Sequence, residues 1–143
     1  MKSLVAYFSA GGTTAGLAKK IAQMTGSDLF EIVPVQPYTR EDLNWNDPGS
    51  RCSREFSSGE DVPVTGSVKN LGEYDLIFLG FPIWYECAPN IINTFCKAHD
   101  WTGKSVALFA TSGGSEIGKT AEKLMPYLKG GSIVHTSVMN GQS

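Results

Sequence analysis

Two hydrophobic periods alternate along the chain. Short, mostly apolar runs occupy residues 3–8, 29–33, 75–79 and 105–110, and residues 132–138 look like a fifth strand. Runs of this length read as strands, and strands without polar alternation belong to a sheet covered on both faces. Between them the period lengthens to that of a helix. From Thr14 to Met24 the residues Leu17, Ala18, Ile21 and Ala22 share one helical face, and Gly26 ends the segment. Ile91, Ile92, Phe95 and Cys96 repeat that pattern. So do Ile117, Ala121, Leu124, Met125 and Leu128, where Pro126 is expected to kink or end the helix early.

Strands alternating with helices predict βαβ units with right-handed crossovers. The expected fold class is therefore α/β, a doubly wound five-stranded parallel sheet forming one domain over residues 1–143. Such sheets bind ligands beyond the carboxyl ends of their strands, where the strand order reverses. That singles out three loops, at residues 9–14, 81–87 and 111–116. Residues 34–70 show no clear period, and a short helix is expected within 49–57. A stretch that long is either functional or partly helical. Its Asp42, Asn44, Trp45 and Asp47 could line a pocket or brace the segment.

Composition narrows the class. Of 143 residues, 41% are hydrophobic and 18% charged, which excludes disorder for the bulk of the chain. The net charge of -2 gives no basic footprint for nucleic acid. The longest apolar runs, roughly seven residues, are too short to span a bilayer. Lys2 precedes only one such run before Gly11 and Gly12, so no signal peptide is expected. Cys52, Cys87 and Cys96 form no CxxC pair, which argues against zinc and thioredoxin-like chemistry and for a reduced, cytoplasmic protein without a metal site.

The first loop, Ser9-Ala10-Gly11-Gly12-Thr13-Thr14, runs straight into a helix. A helix N-terminus offers unpaired N–H groups and partial positive charge, and glycines let the backbone curl around an anion. The hydroxyls of Ser9, Thr13 and Thr14 add uncharged donors. The loop is thus either a phosphate cradle or a strand-to-helix turn capped by threonine. It has neither the cysteine and arginine of a thiol phosphatase nor the aspartate of a phospho-accepting domain. The second loop, Phe81-Pro82-Ile83-Trp84-Tyr85, offers two adjacent rings that either stack on a planar ligand or cap the core. The third, Thr111-Ser112-Gly113-Gly114-Ser115, allows close backbone approach to a polar ligand edge, or is a plain turn.

Residues 113–120 read GGSEIGKT and fit the P-loop pattern of nucleotide triphosphatases. That chemistry also needs a later strand carrying an aspartate for magnesium. No Asp and, beyond Glu122, no Glu follows Thr120, so the reading is set aside and Lys119 is taken as a solvated helix residue.

Together the stretches LVAYFSAGGTT, YDLIFLGFPIWY, PNIINTF and FATSGGS resemble the flavodoxin family, and PYTREDLNWND is similar to a feature of its short bacterial members. The resemblance covers most of the chain. It implies strand order 2-1-3-4-5 and a non-covalent FMN. Ser9, Gly11, Gly12, Thr13 and Thr14 would hold the phosphate. Pro82, Ile83, Trp84 and Tyr85 would frame the isoalloxazine, and Thr111, Ser112, Gly113 and Gly114 would bond its pyrimidine edge. Gly11 replaces the threonine usual in the family, one hydroxyl donor fewer. The family also has a helix after the fifth strand, whereas only residues 140–143 follow here. The expectation is a missing last helix and an open sheet face, for which a homodimer is one outcome.

A flavin protein of this kind would move electrons to a redox partner protein or a small acceptor. The cofactor carries the redox chemistry, so no catalytic acid or base is assigned. Backbone dipoles near Gly80, Trp84 and Gly113 would tune it. His99 and His135 are expected to be surface or structurally satisfied residues, and Cys87 a small apolar residue rather than a thiol relay. A net charge of -2 and a pI near 5.6 give little electrostatic steering toward basic partners. A small nicotinamide-dependent FMN reductase acting on quinones and a flavin-free binding module remain as alternatives.

Overall fold

The structure, a computed structural model, describes residues 2–9, 13–36, 39, 49–58, 62–66, 68, 71–82, 90–111, 124–128 and 130–139. Of Thr13, Cys52, Ser53, Phe56, Ser57, Val138 and Met139 it describes the backbone alone. The elements are β1 (Ser3–Tyr7), α1 (Thr13–Thr25), β2 (Asp28–Glu31), α2 (Arg51–Ser58), β3 (Leu76–Pro82), α3 (Asn90–Lys97), β4 (Ser105–Thr111) and β5 (Ser132–Met139). The five strands form one sheet in the order β2-β1-β3-β4-β5, with every neighbouring pair parallel.

The period-two alternation inside each strand sorts the core into two layers. Leu4, Ala6 and Phe8, with Ile77, Leu79, Phe81, Val106, Leu108 and Ala110, join Ile91, Ile92, Phe95 and Cys96 of α3. Val5, Tyr7 and Phe109 point the other way and pack with Leu17, Ala18 and Ala22 of α1. Two of the three apolar helix faces predicted from spacing, those of α1 and α3, are the faces that are buried. Of the third, Leu124 and Leu128 are buried, Met125 is exposed, and Ile117 and Ala121 lie outside the described residues.

The largest departures from the expected strand boundaries are in β2 and β3. β2 stops at Glu31, and three residues later Pro34 leaves the sheet to pair antiparallel with Val64. A proline has no N–H to give a ladder, so the sheet cannot continue through it. β3 starts one residue later than expected and runs on through Pro82. Gly80, Phe81 and Pro82 keep register with Phe109, Ala110 and Thr111. Phe81, expected in a ligand loop, is fully buried on the same face as Ile77 and Leu79 and belongs to the core.

The aperiodic connection between β2 and β3 is tied down by side chains of α3 and the turn after it. Asn90 Nδ2 donates to the Glu55 carbonyl at 2.6 Å. The Val62 N–H donates to Thr94 Oγ1 at 3.0 Å, and the Val68 N–H to His99 Nε2 at 2.9 Å. Within the connection, Arg51 pairs with Glu55 at 2.8 Å and reaches the Gln36 carbonyl at 2.7 Å, fastening α2 to the residues that leave β2. The expected short helix is therefore present as α2, and the described part of this segment serves as a brace. Asp42, Asn44, Trp45 and Asp47 lie outside the described residues.

His99 is the structural histidine expected from the sequence. Its Nε2 accepts a bond, so the proton sits on Nδ1, which donates to the Phe95 carbonyl at 2.7 Å. Its ring lies 4.4 Å from that of Phe95 and 6.2 Å from that of Trp101, centroid to centroid. His99→Ala should cost about 2 kcal/mol, from the lost ring packing and a Val68 amide left without its acceptor. A urea unfolding curve should show a lower midpoint at unchanged slope. His135 is exposed on β5.

Burial pushes the Cys96 thiol far above the ordinary thiol range, so it packs as an apolar residue. Among the described residues no helix is long and apolar enough to cross a membrane, and no cluster of His, Cys, Asp and Glu could hold a metal ion.

Candidate functional site

The strand order reverses at β1. From there the chain pairs with β2 on one side and β3 on the other. A crevice at the carboxyl ends of β1 and β3 follows from that topology. Ser9 stands two residues beyond β1, Pro82 closes β3, and Thr111 closes β4 as the register partner of Pro82. α1 begins at Thr13, so its first-turn N–H groups lie at the same end of the sheet.

A close packing contact sets α1 over this edge. Gly80 of β3 lies opposite Phe109 of β4. A Cβ on Gly80 would fall 2.1 Å from Phe109 Cζ, so the ring occupies the space a side chain would need. With no side chain at residue 80, the end of the Phe109 ring can reach over the β3 backbone and join the Leu17 and Ala18 layer under α1. Backbone dipoles near Gly80 are expected to tune a ligand; the Gly80 carbonyl itself accepts the Phe8 N–H at 2.9 Å and is used within the sheet.

Thr14 and Thr111, 97 residues apart in sequence, meet at this edge. Their Oγ1 atoms are 2.8 Å apart, and the two residues are 2% and 6% exposed. Thr111 is two residues beyond Phe109 in the same strand and so faces α1 as Phe109 does. The sequence placed Thr14 with a phosphate and Thr111 with a ring edge. The structure joins the two hydroxyls to each other, and places Thr111 and Pro82 as the last residues of strands rather than in loops. The detectable signal was the parity of Thr111 with Phe109; its partner across the sheet had none.

The donor set suits a phosphate. The first turn of α1 carries no acidic residue, so nothing there opposes an anion. Backbone N–H groups, the Ser9 hydroxyl and the Thr14 hydroxyl all sit at one strand edge, and each can donate. Gly11, Gly12, Ile83, Trp84, Tyr85, Ser112, Gly113 and Gly114, together with Cys87 and the P-loop-like residues 113–120, lie outside the described residues.

A family model described as flavodoxin matches residues 2–143. The chain belongs to the flavodoxin family. Among solved structures, a Bacteroides uniformis protein taken to be a flavoprotein is 44% identical, with a TM-score of 0.93 over 99% of this chain and 92% of that one. A Bacteroides eggerthii protein of the same description is also 44% identical, with a TM-score of 0.90 over 99% and 89% of the two chains. A Lactobacillus acidophilus flavoprotein, solved in complex with FMN, is 22% identical, with a TM-score of 0.77 over 96% and 92%. No curated protein matches the chain. The strand order of this flavodoxin is the one that the sequence resemblance implied.

Proposed function

We propose that this flavodoxin binds FMN non-covalently at the carboxyl edge of β1, β3 and β4 and serves in electron transfer. The observation that carries the reading is the donor set at the start of α1. It has N–H groups, the buried Thr14 hydroxyl and Ser9, and its first turn is free of acidic residues. Family membership adds its weight. When bound, the flavin supplies the redox chemistry.

The protein's own part is to hold and orient. α1 and Ser9 would take the phosphate, and Pro82, at the end of β3, would frame the ring system. Trp84 and Tyr85 supply the stacking surface, and Ser112, Gly113 and Gly114 the polar edge. Partners are a redox protein or a small electron acceptor.

The test is a visible absorption spectrum of the purified protein before and after adding FMN and desalting. A retained and shifted flavin band is expected, at one FMN per chain. A colourless protein with an intact circular dichroism spectrum would overturn the proposal and leave a flavin-free binding module. Turnover of the loaded protein with reduced nicotinamide and a quinone, without a second protein, would make it a reductase rather than a carrier.

A further inference from the structure

Thr14 and Thr111 are each more than nine-tenths buried, and their hydroxyl oxygens are 2.8 Å apart. Two hydroxyls carry two protons, and one hydrogen bond between them uses one. Among the described residues neither hydroxyl has another partner. A buried donor proton is therefore left over at this edge, and leaving such a proton unmatched costs free energy. It calls for an acceptor that these residues do not supply.

We infer that Thr111 is a positioning residue for the phosphate: it donates its proton to Thr14 Oγ1, which frees the Thr14 proton for the phosphate oxygen. The inference rests on the FMN reading above and reassigns Thr111, which the sequence resemblance had placed on the pyrimidine edge.

Position sets the direction of the bond. Thr14 is the second residue of α1 and stands among the N–H groups of its first turn, whereas Thr111 reaches the site only from the end of β4. An anion at the helix start draws the Thr14 proton outward, and its oxygen then becomes the better acceptor for Thr111. The same bond fixes the Thr14 rotamer and fastens the start of α1 to β4.

The discriminating probe is riboflavin, which has the ring of FMN without its phosphate. Each flavin is titrated into the apoprotein and binding is followed by flavin fluorescence. Thr111→Val keeps the side-chain shape and removes the hydroxyl. It should weaken FMN about tenfold, the loss of one hydrogen bond to a charged site, and leave riboflavin within about twofold of the wild type. Thr111→Ser should restore FMN affinity.

Equal losses for both flavins would overturn the inference, because Thr111 would then serve the ring or the fold. Unchanged FMN affinity would overturn it too. A wild type that binds neither flavin would overturn the FMN reading itself. Should Thr111→Val fail to fold, Thr111→Ala, which relieves rather than fills the site, takes its place. A selective loss of FMN again supports the inference, and equal losses overturn it.

Discussion

Gly80→Ala should lower the melting temperature of the apoprotein by roughly 10 °C, a cost on the order of 3 kcal/mol. The new Cβ would fall 2.1 Å from Cζ of Phe109 and 2.3 Å from Cε2, inside any tolerable contact. The obstacle is a ring packed under α1 against Leu17 and Ala18, not the free end of a flexible chain. To admit the methyl, either β3 and β4 must shift or Phe109 must leave its place and open the α1 layer. Close-packed interiors resist both. Phe109→Leu removes the ring atoms nearest to residue 80. In the Gly80→Ala background it should give back part of the loss, although alone it destabilises. Thermal melts of the four proteins by circular dichroism close the cycle. An alanine at residue 80 tolerated within 2 °C, roughly half a kcal/mol at this chain length, would mean that Phe109 does not lie against the β3 backbone.

That contact also shows where sequence reading succeeds and stops. Helix faces were legible because one apolar stripe at a period of 3.6 admits one burial. Leu17, Ala18 and Ala22, and likewise Ile91, Ile92, Phe95 and Cys96, are buried as that period requires. The strand order came from the resemblance, and short apolar runs located the strands. The end of β3 was misread because Gly80 and Pro82 look like turn residues. Gly80 in fact marks a ring pressed against a strand, and Pro82 is tolerated as the last residue of the ladder. The bracing of the β2–β3 connection was invisible for a different reason. Asn90, Thr94 and His99 bond backbone groups, and a backbone acceptor or donor leaves no trace in residue identity. The bond between Thr14 and Thr111 needed both the strand parity and the parallel order before the two residues could be brought together.

Thr14→Asp should separate phosphate binding from folding. A carboxylate oxygen can take the place of Thr14 Oγ1, where the Thr111 hydroxyl donates to it. An acidic residue in the first turn of a helix is favourable, by about 0.3–1 kcal/mol at exposed sites. This first turn has none of its own. Position 14 is 2% exposed, so a carboxylate there also loses hydration, which the Thr111 hydroxyl and the first-turn N–H groups offset; the substituted apoprotein should keep its fold near neutral pH and melt within about 5 °C of the wild type. The same carboxylate would occupy the anion position and repel a phosphate from it. At an effective dielectric of about 20, charges about 5 Å apart interact by about 3 kcal/mol for each unit of phosphate charge. FMN affinity should fall by at least roughly 100-fold, and desalting should strip the flavin band. Riboflavin, without the phosphate, should lose far less. A variant that retains FMN as tightly as the wild type would place the phosphate away from the start of α1. A variant that loses both flavins and melts early would show instead that the hydroxyl pair is a packing element of the sheet edge, with no bearing on charge.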